Sequence, residues 1–156
     1  MKPRRDLLAL SARFLALGLA LLFPIFSTGC GYAPHRNPDL VIVANKDEAT
    51  RGALGRAVAD GGYILNAVGS SMLPNIIEGD MVVVVHAPFN GDLLGWPVVY
   101  RAAWADGRLV SHRLVAGDAR SGFIASGDNN QHSETWEPIR SQNYVGKIVA
   151  IYRVQP

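Results

Sequence analysis

The 156-residue chain predicts a mainly β fold with one short helix, on three observations. Short apolar runs bounded by Gly, Pro, Asn or Asp recur along it: Tyr63 to Val68, Met81 to Val85, Pro97 to Arg101, Arg108 to Val115, Gly122 to Ser126 and Asn143 to Val149. Turn signals separate them, with Asn90-Gly91-Asp92 after the valine run and the hairpin dipeptide Asp106-Gly107 between two strands. Helical character is confined to Asp47 to Ala59, with Asp47 as cap and Gly61-Gly62 as the stop.

Residues 1–30 read as a targeting segment. Lys2, Arg4 and Arg5 are followed by an apolar run that carries no charge from Phe14 to Phe26. This placement predicts an inside N-terminus and an exported remainder. Two readings stay open. Ser27-Thr28-Gly29-Cys30 resembles the end of a bacterial lipoprotein signal, with Cys30 acylated, although Ser27 stands where Leu is usual. The other is an uncleaved signal anchor from Leu7 to Phe26, which tolerates Arg13 near the membrane surface. Either puts the following domain outside the cytoplasm at a bacterial membrane, periplasmic or on the cell surface, with lipid as a partner. Residues 31–46 are expected to be a linker, rich in proline to Pro38, plus a possible strand at Leu40 to Ala44. Residues 47–156 are expected to be the functional domain.

Charge narrows the function further. Four of the fifteen positive residues lie within the first thirteen positions; from residue 31 onward eleven positive face twelve negative, so no basic footprint for nucleic acid remains. Cys30 is the one cysteine, which excludes an internal disulfide. His35, His86, His112 and His132 have no ligand spacing, so neither a metal nor another cofactor is expected.

The chemistry centres on Gly69-Ser70-Ser71-Met72-Leu73-Pro74, closed by Gly79-Asp80 before the valine run. Proline fixes its own φ and restricts Leu73, which pins the serines at a turn leading into a buried strand. Ser-Met-x-Pro followed by Gly-Asp and valines resembles the nucleophile box of type I signal peptidases and LexA-type self-cleaving proteases, with Ser71 as the matching nucleophile. A serine hydroxyl needs an adjacent base. Lysine serves in many of these proteins, but Lys2, Lys46 and Lys147 are the only lysines and none is in the base position. His112 occupies it, within Ser111-His112-Arg113-Leu114-Val115, which resembles the endoplasmic-reticulum and archaeal type of signal peptidase. Gly127-Asp128-Asn129 resembles the third box. Asp128 then matches the acid that orients the histidine, and Asp118, in a hairpin turn, is the rival acid.

The resemblance spans about Tyr63 to Tyr152 and implies LexA- and signal-peptidase-like coiled antiparallel sheets. It implies a serine endopeptidase that cuts an exported protein or peptide after small residues, with Ser71, His112 and Asp128 catalytic. Gly69, Ser70 and Met72 would lie at the oxyanion, and Ile64, Asn66 and Val68 on one face, or Leu65 and Ala67 on the other, along the substrate. Two departures bear on efficiency: Gly69 replaces a hydroxyl residue, and Asn130 replaces an Arg after the third box. Three alternatives stand beside this reading: a LexA-like self-cleaver, a processing peptidase dedicated to one partner, and a surface lipoprotein that keeps the fold for binding without turnover.

Overall fold

The structure, a computed structural model, describes residues 33–155. The targeting segment and Cys30 lie outside the described residues. The fold is mainly β, with one α-helix and a curled, largely antiparallel sheet. Its elements are β1 (Asp39–Val43), α1 (Lys46–Asp60), β2 (Tyr63–Asn66), β3 (Met81–Val85), β4 (Pro97–Ala102), β5 (Arg108–Asp118), β6 (Gly122–Ser126), β7 (Glu134–Ile139) and β8 (Tyr144–Val154). The sheet order is β2-β3-β8-β4-β5-β6-β7, and β1 joins β8 in parallel. Among the described residues no helix is long and apolar enough to cross a membrane.

The valine run is continuous because both faces of β3 are covered. Met81 and Val83 pack under α1 against Ala49, Ala53 and Ala57, whose i, i+4, i+8 spacing gives the helix a flat, small-residue face. Val82 and Val84 face the other way, onto Met72 and Ile76 of the turn that carries Ser71. The strand therefore couples that turn to the core. A separate cluster under β4, β5 and β6 includes Val98, Tyr100, Leu114, Phe123 and Ile139.

Three boundary expectations change. The helix starts at Lys46, one residue earlier than read, because Asn45 rather than Asp47 caps it. The Asn45 side chain accepts from the Glu48 N–H at 2.9 Å, and the Glu48 carboxylate accepts from the Ala44 N–H at 3.1 Å. Residues 33–38 are not a free linker but a strap along the domain. The Ala33 N–H donates to the Val115 carbonyl at 3.1 Å and the Arg36 N–H to that of Gly95 at 2.9 Å. A Cβ on Gly95 would lie 2.2 Å from the Pro34 carbonyl oxygen, so only glycine admits the strap there. Finally, β7 is a strand absent from the sequence expectations.

Candidate active site

Ser71 sits in a turn tied at its base and sides. The Ala67 N–H donates to Asp80 O and the Gly79 N–H to Ala67 O, closing the turn. Asp80 is buried, accepts the Ile77 N–H at 2.9 Å, and takes two hydrogen bonds from the Arg153 guanidinium at 2.9 and 2.7 Å. Arg153 also donates to the Asn75 carbonyl. The Leu73–Pro74 peptide bond is cis. The hydrogen bonds at Asp80 and Arg153 hold the Ser71 turn in one geometry.

His112 projects from the middle of β5, buried, with Nε2 3.0 Å from Ser71 Oγ. Its Nδ1 lies 2.5 Å from Glu134 Oε1 at the start of β7. The other Glu134 oxygen accepts from the Tyr100 hydroxyl, and Tyr100 lies two residues from Val98, the cross-strand partner of His112. Burial, reinforced by the hydrogen bond to Glu134, pushes the Tyr100 phenol up, so it stays protonated and donates. An ionised carboxylate only accepts, so the Nδ1 proton faces Glu134 and Nε2 is left to accept from Ser71. That tautomer suits a general base.

Asp128, expected to orient His112, does not touch it. Its carboxylate accepts from Arg113 Nε and Nη2, both at 2.7 Å, and from Asn75 Nδ2 at 2.7 Å. Arg113 and His112 are consecutive in β5 and so point to opposite faces, and the third box binds the arginine side. Arg113 spends its remaining donors on the carbonyls of Arg36 and Gly95 and on Asn37 Oδ1. The box still reaches the Ser71 turn: the Asn129 N–H donates to Ser71 O at 2.8 Å and the Asn129 amide to Ser70 O at 3.2 Å. Gly127 lies so close that a Cβ there would be 2.6 Å from Ser71 O. Gly127→Ala is therefore expected to displace the serine backbone and lower Ser71 reactivity about ten-fold or more, read from the rate of covalent labelling. Asp118 is exposed and closes its own hairpin by accepting the Arg120 and Ser121 N–H groups.

Burial alone would raise the Asp128 pKa; the Arg113 and Asn75 hydrogen bonds override it and hold it below its ordinary value of 3.8. A depressed carboxylate stabilises the fold fully above its unfolded pKa and loses that contribution as pH falls through the folded value. The stability difference between the parent and Asp128→Asn should thus be constant above pH 5 and shrink as pH falls below about 4, as measured by urea unfolding across pH.

Ser71 and His112 open on a cleft of about 570 Å³ between β2 and β5. Asn66 and Val68 border it, as do Leu65 and Ala67. Met72 does not serve there through its side chain, which is buried against Ile76 and Val82, and Ile64 turns to the α1 cluster. Lys147 stacks over Trp96, its Nζ 4.3 Å from the ring centroid. Among the described residues no group of three or more His, Cys, Asp or Glu side chains converges to hold a metal ion. Glu134 is the His112 partner that sequence reasoning missed. The signal was faint: an acid opening Glu134-Thr135-Trp136-Glu137-Pro138-Ile139, beyond the box that drew attention to Asp128. No protein-family model matches the chain, and no curated protein matches it either.

Proposed function

We propose that the chain is a membrane-associated serine endopeptidase of signal-peptidase type. The observation that carries this reading is the line from Ser71 Oγ through buried His112 to buried Glu134 and Tyr100, with Ser71, His112 and Glu134 bordering one cleft. Ser71 attacks the scissile carbonyl as His112 Nε2 takes its proton, and the Glu134 carboxylate stabilises the imidazolium through Nδ1. The proton then passes from Nε2 to the leaving amine, and water repeats the sequence on the acyl-enzyme. Backbone N–H groups at Ser71 and its neighbours, or Ser70, would supply the donors to the developing oxyanion.

Two strand edges favour an extended polypeptide as substrate. Among the described residues β2 ends the sheet, and no strand pairs with the outer side of β5 from Arg108 to His112. Both edges border the cleft, and backbone donors and acceptors on such edges bind a peptide as an added strand. The resemblance of the three boxes supplies the rest: exported proteins cut after small residues, at the outer side of a bacterial membrane, reached through Cys30 acylation or an N-terminal helix. A fluorophosphonate probe tests the chemistry without a substrate. It should label the parent at Ser71, as located by mass spectrometry, and label His112→Ala at least about 10²-fold more slowly. Equal labelling of both would overturn the assignment of His112 as base.

A further inference from the structure

Large apolar side chains stand exposed where the cleft opens. Val68 is 85% exposed on the β2 side, while Trp136 is 65%, Trp104 50% and Leu109 41% exposed on the β5 side, and all four line the cleft. The two tryptophans are held by one element. β7 pairs with β6 at Glu134 and again at Ile139, with an irregularity between, so residues 135–138 leave the regular ladder. Within this arch Glu137 reaches the turn after β4: its carboxylate accepts the Ala103 N–H at 2.7 Å and the Trp104 N–H at 3.4 Å. The strand that supplies Glu134 to His112 therefore also carries Trp136 and fixes the backbone of Trp104.

We propose that Trp104 and Trp136, with Leu109, form a clamp for a large aliphatic or aromatic side chain of an extended peptide, beyond the small residues next to the cut. The proposal rests on the peptidase reading above and names a specificity determinant for it. The occupant is a polypeptide because the rim flanks two strand edges whose backbone groups a lipid chain would leave unpaired. Charge around the rim points the same way. Glu137 lies between the tryptophan supports, and Arg101 is the cross-strand neighbour of Leu109. Sinking the rim into hydrocarbon would strip water from both. Exposed tryptophans at the mouth of a cleft are also the residue type that most often dominates a recognition surface.

The test uses full-length Ser71→Ala in detergent micelles, which binds without turnover. Peptides carrying one Ala-x-Ala site and a single Phe or Leu at successive positions are compared with Gly at the same position, by calorimetry. One placement should bind about ten- to a hundred-fold tighter than Gly. That ratio should fall to near one in Trp104→Ala/Trp136→Ala and persist in Trp136→Phe, with thermal unfolding confirming that each variant is folded. An unchanged ratio in the double variant overturns the clamp. So does quenching of Trp104 and Trp136 fluorescence by brominated lipid in vesicles, which would make the rim a bilayer contact. Preferential binding by Ser71→Ala, with no cleavage by the serine-intact chain, keeps the clamp and overturns the peptidase reading.

Discussion

Glu134→Gln should lower turnover by about 10³- to 10⁴-fold while leaving the fold intact. Glu134 accepts from Tyr100 on one oxygen and faces His112 Nδ1 with the other. Glutamine offers one acceptor and one donor end. The Tyr100 hydroxyl, buried and held protonated, keeps the acceptor end, so the amide N–H turns toward His112. The imidazole must then accept at Nδ1 and carry its proton on Nε2, which faces Ser71 and can no longer take a proton from it. The same geometry makes an unusual second prediction. Adding Tyr100→Phe removes the donor that sets the amide orientation, so the double variant should recover about ten-fold over Glu134→Gln alone. Labelling rates with the fluorophosphonate probe measure both. A double variant no faster than the single one would mean that Tyr100 does not orient residue 134.

Arg113→Met should be the most destabilising single change among the residues around the site, at about 3–5 kcal/mol. The arginine is buried and places its donors on Asp128, Arg36, Asn37 and Gly95. Its loss strands a buried carboxylate, frees the Arg36 carbonyl and removes the side-chain ties at residues 36 and 37, while the Gly95 carbonyl keeps the Arg36 N–H. Arg113→Met/Asp128→Asn removes the uncompensated charge and should lie closer to the parent than Arg113→Met does. Asp128→Asn by itself should slow labelling far less than Glu134→Gln, because Asp128 acts through the backbone contacts of its loop with Ser70 and Ser71. Urea unfolding and labelling rates of the four proteins separate support of the fold from service to His112. If Asp128→Asn slowed labelling as much as Glu134→Gln, Asp128 would regain the role assigned to it by the motif.

The sequence was most legible where residues act on their neighbours in the chain. The valine run, the Asp106-Gly107 hairpin, the helix stop at Gly61 and the pinned turn at Ser71 are local effects of side-chain period, proline and glycine, and each element is present. Ser71 and His112 are 41 residues apart, yet their motifs placed both, and the structure brings them to 3.0 Å. The acid was misread because its role depends on which face of β5 a loop reaches, which spacing along the chain does not encode. Glu134 became legible only once the sheet order put β7 beside β6 and its first residue over His112. The strap was hidden for a similar reason. Proline-rich polar residues signal a linker locally, whereas the partners that hold this one, the Arg113 guanidinium and the carbonyls of Gly95 and Val115, lie far along the chain.

Cleavage of a preprotein bearing an Ala-x-Ala site by the purified full-length chain in detergent, with Ser71→Ala beside it, tests the central claim most directly. The predicted result is one new N-terminus immediately after the second alanine, formed by the parent and lost in Ser71→Ala. An intact preprotein after prolonged incubation with chain that labels at Ser71 would contradict the signal-peptidase substrate class. Cleavage that persists in Ser71→Ala would contradict the serine mechanism itself.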